Sequence, residues 1–163
     1  MKHPTSFAAL VAVGALVTCP APSATRMTAQ HAAAIRDSVQ TTLDAMRRYS
    51  AAGQWDSLSG LYANDPDFRW MEQGVVQYRS PTQIREALAR VSRTTRIETS
   101  YFDTRILALA PGVAAVTTTF HTEFVNEGRP AVEFGGVLDV VFVHREGGWR
   151  ILLGHSSSRT PTR

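Results

Sequence analysis

The amino-acid sequence predicts an α+β fold, with three N-terminal helices packed on one face of a curved, mainly antiparallel sheet. Three observations carry that reading. Near the start, Ile35, Val39, Leu43 and Met46 recur at three- and four-residue steps, the apolar stripe of a helix with one buried face. Beyond Thr95 the segments alternate or run β-branched, as strands do. The stretch from Gly135 to Ser158 is a hairpin, with Val137–Val143 and Trp149–Leu153 joined by the glycine-bearing turn His144-Arg145-Glu146-Gly147-Gly148. Helices segregated from meandering strands belong to this class, not to one with alternating helices and parallel strands.

The elements follow in order. Met1-Lys2-His3, the apolar run Phe7–Val17 and the small residues through Ala24 have the layout of a secretory signal peptide, residues 1–24. Eleven apolar residues are too few for a membrane span, which needs about 20. Export to the periplasm or beyond is the expected localisation, with lipid anchoring at Cys19 a weaker alternative because Thr18 replaces the small residue of a lipoprotein box. The folded domain is expected over 25–163. A long helix from Thr28 ends near Ala52, where Gly53 offers a C-terminal stop. A second helix is expected over 56–63, followed by the turn Asn64-Asp65-Pro66-Asp67. Phe68–Glu72 and Val75–Tyr78 read as short strands about Gly74. Ser80-Pro81-Thr82-Gln83 is a capping box with proline at the first helical position, so a third helix starts there. Strands are expected over 96–110, 113–125 and on through the terminal hairpin.

Composition narrows the function classes. A chain of 163 residues with 44% apolar and 19% charged residues is one globular domain able to bury a core. Basic groups exceed acidic ones by three, and all but Lys2 are arginine. These are scattered, without the dense basic stripe and interleaved aromatics of a nucleic-acid surface. Cys19 is the only cysteine, so a mature domain has no thiol for nucleophilic, redox or metal chemistry. No phosphate loop, dinucleotide fingerprint or glycine-framed nucleophilic serine is present. No cofactor is expected.

Four phrases, in this order, carry a resemblance: Gln54-Trp55-Asp56-Ser57-Leu58, Leu61-Tyr62-Ala63-Asn64-Asp65, Ser80-Pro81-Thr82-Gln83-Ile84, and Glu146-Gly147-Gly148-Trp149-Arg150-Ile151 with the trailing His155-Ser156-Ser157. Together they resemble the nuclear transport factor 2-like superfold and, within it, the SnoaL-like and ketosteroid-isomerase-like bacterial proteins. The resemblance implies a cone of sheet wrapped by three helices and open over an apolar cavity. Its members include isomerases, cyclases, dehydratases and association domains. The isomerases' tyrosine–aspartate dyad has no counterpart motif here.

Period-two alternation sorts candidates for lining such a cavity. His155 shares a face with Trp149, Ile151 and Leu153. A neutral imidazole pointing inward would suit general-base work near neutral pH, the catalytic role assigned to it here. The plainer alternative is a buried histidine bonded to the sheet end. Glu72 ends the Phe68/Trp70 face, either inside the cavity or exposed at the strand end. Tyr101 and Asp103 share a side and could together polarise a carbonyl group, or could be an ordinary mixed strand surface. Trp70, Glu72, Tyr101 and Asp103 are thus the expected ligand contacts. His121 and Glu123 lie opposite the Val116/Phe120/Phe124 face and point outward. No third ligand follows at a metal-motif spacing, and no metal is expected. Asp139 is either inward or on a partner-covered outer face.

The expected activity is binding of an apolar or aromatic small molecule. Cofactor-free acid–base catalysis on a carbonyl compound is the alternative, and homodimeric association a third. A homodimer is expected through the outer sheet face. Neither a nucleic-acid partner nor a membrane span is expected.

Overall fold

The computed structural model describes residues 27–92, 94–126 and 129–159. Residues 1–24, the expected leader with Cys19, lie outside the described residues. Helix α1 (Ala29–Ala51) opens with Thr28, whose hydroxyl accepts a bond from the His31 amide at 3.1 Å. Its stripe is buried as the periodicity predicts, with Ile35, Val39 and Leu43 at most 4% exposed. Gly53, at φ +64°, follows its end. Helix α2 (Trp55–Ser59) is a single turn, shorter than expected. The Leu61 carbonyl accepts from the Ile151 amide and the Ala63 amide donates to the Ile151 carbonyl, both at 2.8 Å. Strand-like pairing claims the backbone that local propensity would have kept helical.

Strands β1 (Arg69–Glu72) and β2 (Val75–Tyr78) form a hairpin, and α3 (Pro81–Leu88) is capped by Ser80 with Pro81 in its first turn. Then come β3 (Thr95–Ala110), β4 (Val113–Asn126), β5 (Arg129–Arg145) and β6 (Gly148–Arg159). The six strands make one curved sheet in the order β2-β1-β6-β5-β4-β3. Every pairing is antiparallel except β1 with β6, which run parallel with Trp70 beside Gly154 and Glu72 beside Ser156. The core fills the space between α1 and the inner sheet face, around Leu43, Phe68, Val116, Phe142 and Ile151.

Two β-bulges decide which residues face that space. Val141 pairs with Leu153 and Phe142 with Ile151, so Leu152 has no partner across β5. One extra residue inverts the alternation beyond it. Trp149 and Ile151 point inward as expected. Past the bulge, Gly154 and Ser156 take the inner face, while Leu153, His155 and Ser157 share the outer one. The second bulge sets Asp103 and Thr104 against Thr118 alone, because Phe102 pairs with Thr119 and Arg105 with Thr117. Asp103 sits there at φ +51°, a left-handed conformation that aspartate tolerates better than most residues.

Glycine permits the tightest inner contact. A Cβ on Gly154 would overlap the Trp70 ring, so only glycine lets that indole lie across β6.

Candidate functional site

A cavity of about 200 Å3 opens between α1 and the inner face of β1, β3, β4, β5 and β6. Five aromatic rings line it. Phe134 meets Phe120 edge-on at 6.0 Å and stacks on Phe124 at 6.1 Å, and Trp70 and Tyr101 complete the aromatic surface. Met46, Ile97 and Leu138 add aliphatic contact. Polar groups are few: Thr99 and Thr122, whose hydroxyls bond each other at 2.9 Å, the Ser156 hydroxyl, the Tyr101 phenol and the Glu72 carboxylate. A mainly apolar pocket with a few convergent polar groups has the character of a small-molecule site, though this one is smaller than the roughly 300–1,000 Å3 of drug-sized pockets.

Glu72 is held in place. Its Oε1 accepts a hydrogen bond from the Trp70 indole Nε1 at 2.8 Å, fixing the carboxylate beside the ring that walls the cavity. Trp70 is braced by Tyr62, whose ring meets it edge-on at 5.7 Å. Burial raises the Tyr62 phenol above its ordinary value, and Tyr101, Glu72 and Tyr78 add to the rise. Burial also pushes Tyr101 up to about 12, with the Arg47 guanidinium opposing the shift and Asp44 adding to it. Tyr101 is therefore a neutral hydrogen-bond donor at physiological pH, in a cavity that Glu72 also lines.

The expected site residues divide. Trp70, Glu72 and Tyr101 meet in the cavity. Asp103 is exposed, carried out of line by its bulge, and does not join Tyr101. His155 stands opposite Asp139 and Met71 across the neighbouring strands, on the outer sheet face. The shared face expected for His155 and Trp149 ends at Leu152. Ser156, Thr99, Thr122, Phe120 and Phe134 line the cavity without having been singled out as ligand contacts. Ser156 could be found only by knowing of the bulge, since its own alternation points it away.

The outer face resolves the remaining candidates. Asp139 is exposed there and accepts a bond from Thr117 Oγ1 at 2.6 Å. His121 and Glu123 point outward as expected, and Glu133 joins them from directly across β5. His121 Nε2 lies 3.2 Å from Glu123 Oε1 and 3.9 Å from Glu133 Oε2. All three groups offer ligand atoms within 4.8 Å of one another, so a third group does arrive, though by strand pairing and not by sequence spacing. These side chains are 36–57% exposed and read as a solvated polar cluster.

A larger groove of about 850 Å3 runs outside the cone between α2, α3 and the β5–β6 turn. Asp56, Arg85, Glu146 and Arg150 line it, and an Arg145–Asp65 ion pair of 3.2 Å is part of its wall. Its mixed charges are open to solvent and converge on no centre. The aromatic cavity, despite its smaller size, is the better candidate.

Three helices, a cone-like mixed sheet and an inner cavity define a protein of the nuclear transport factor 2-like class. Within that class the chain belongs to the SnoaL-like domain family, whose model matches residues 39–161. No functionally curated protein matches it in sequence. Solved structures of similar fold include a conserved protein of Planctomyces limnophilus, at 16% identity and a TM-score of 0.68 over 79% of this chain and 99% of that one. An NTF-2 like protein of unknown function from Shewanella oneidensis is 16% identical, with a TM-score of 0.66 over 76% and 98%. A type 2 hexachlorocyclohexane dehydrochlorinase is 15% identical, with a TM-score of 0.65 over 80% and 90%. At such identities the likeness is one of fold.

Proposed function

We propose that the protein binds a small, flat, largely apolar molecule in the cavity between α1 and the inner sheet face. The supporting observation is the pairing of five aromatic walls with a single fixed carboxylate, Glu72, in one cavity. A ring with one short polar substituent matches the volume, stacking on the phenylalanines and meeting Glu72 or Tyr101 with its polar end. The expectation that His155 carries the site is replaced by Glu72 and Tyr101, because only these two of the titratable candidates line the cavity. A thermal-shift screen with monocyclic aromatic compounds tests the reading. A ligand at 100 times its Kd should stabilise the fold by about 2.7 kcal/mol, and filling the cavity by Leu138→Trp should remove the shift. A screen without any such shift would argue against it.

A second reading, cofactor-free acid–base chemistry, draws support from Glu72 and Tyr101 lining one cavity. Glu72 would take a proton from carbon next to a carbonyl group while the neutral Tyr101 hydroxyl donates to the carbonyl oxygen. The fold-level likeness to a dehydrochlorinase is compatible with proton abstraction and does not extend to its substrate. Turnover lost in Glu72→Gln, with ligand binding retained, separates this reading from simple binding.

Two further properties are part of the proposal. The outer face exposes Phe102 and Val137 on either side of Thr119, and Leu107 beyond the Arg105–Thr117–Asp139 row, which suits a second copy of the chain. Light scattering on wild type and Leu107→Asp tests it, dissociation being the expected result. The leader over 1–24 directs export, which fractionation of the full chain against a leader-deleted form would check. No helix among the described residues is long and apolar enough to cross a membrane.

A further inference from the structure

We infer that the ligand of this cavity carries a positive charge, as a small aromatic or alkyl ammonium compound does. The inference rests on the ligand-binding reading above and deepens it. Among the described residues lining the cavity, Glu72 is the one charged side chain, and no arginine, lysine or histidine faces it. Arg47 and Asp44, the charged groups that reach Tyr101 from α1, act on it in opposite directions, Arg47 the more strongly, and do not line the cavity. The rest of the polar lining is uncharged hydroxyl.

The aromatic walls select in the same direction. Ring faces carry partial negative charge and attract cations, more strongly where water is excluded. Phe120 and Phe134 stand at 86°, while Phe124 and Phe134 lie within 30° of parallel, so the rings wall the cavity in two orientations. An ammonium group set against such walls still needs a counter-charge and an acceptor. Glu72 supplies both, since the Trp70 indole occupies only Oε1 and leaves further acceptor positions on the carboxylate. An anionic ligand would instead place its charge beside Glu72 with no basic group in the lining, which costs affinity.

Calorimetric titration with phenethylamine, phenethyl alcohol and phenylacetate tests this, since the three share a ring and spacer and differ in charge. The expected order is amine, then alcohol, then carboxylate, the amine ahead of the alcohol by roughly tenfold or more. Glu72→Gln, which keeps an acceptor for the Trp70 indole, should weaken the amine most and erase its advantage over the alcohol. If the alcohol binds wild type as tightly as the amine, the charge inference is wrong while the apolar-pocket reading survives. If amine binding persists in Leu138→Trp, the amine sits elsewhere and the inference is overturned. If none of the three binds, the pocket reading itself fails and takes the inference with it.

Discussion

Trp70 lies across Gly154 with no room for a side chain between them. The two residues sit side by side on the parallel pair β1 and β6, and the indole fills the space a Cβ would occupy. The same indole anchors Glu72. A glycine on one strand thus controls where a carboxylate on another is held.

Gly154→Ala should therefore do more than destabilise. Forcing the ring away from a packed wall costs about 1–3 kcal/mol, readable as a lower urea midpoint with an unchanged slope. The variant should also lose ligand affinity, because Glu72 moves with its indole partner. Loss of stability with affinity intact would show that Trp70 and Glu72 are positioned independently.

Cysteine labelling can read the bulge at Leu152 directly. In a Cys19→Ser background the chain has no other cysteine. Ser156→Cys should then be protected from a thiol reagent by a bound aromatic ligand, since it lines the cavity. His155→Cys, on the opposite face, should label at a rate the ligand does not change. The reverse pattern would mean that alternation runs uninterrupted through β6.

Thr99 and Thr122 form a hydroxyl pair in the cavity wall. Replacing either one by valine leaves the other without its partner, at a cost of about 1–3 kcal/mol. The double variant should lose clearly less than the sum of the two single losses, because no stranded hydroxyl remains. A double-mutant cycle by chemical denaturation measures the coupling, and additive losses would show that the pair is not a functional unit.

Alkaline stability follows from Tyr101. Its folded pKa of about 12 exceeds the ordinary 10.0, so between those values the unfolded chain releases a proton that the folded chain keeps. The associated stability is complete below pH 10 and is lost as pH rises toward 12. Tyr101→Phe should flatten that decline, and the phenolate absorbance of wild type should show a tyrosine that ionises later than an exposed one. An unchanged slope in the variant would contradict burial of the phenol.

Local chemistry made much of this fold legible in the sequence. The Ser80-Pro81 start, the stripe through Ile35, Val39 and Leu43, and the hairpin about Gly147-Gly148 each depend on residues close together in the chain, and each is where its pattern placed it. The Phe68/Trp70/Glu72 alternation also held, bringing Trp70 and Glu72 to the cavity. His155 and Asp103 were displaced by bulges, which belong to the match between two strands and leave no mark on either one alone. Glu133 was missed for the same reason, since only strand pairing sets it opposite Glu123. Alternation is a sound guide until the register slips by one.

The parallel seam between β1 and β6 also sets the order in which the molecule can become functional. Arg69 pairs with Leu153, more than eighty positions later, so that wall of the cavity has no template until β6 has been made. Such distant pairing is slow to form and leaves strand edges open while it waits. A chain ending before β6 would lack the partners of Trp70 and Glu72, and with them one wall of the proposed site. For the proposed site, the making of β6 and the closing of the wall are one event.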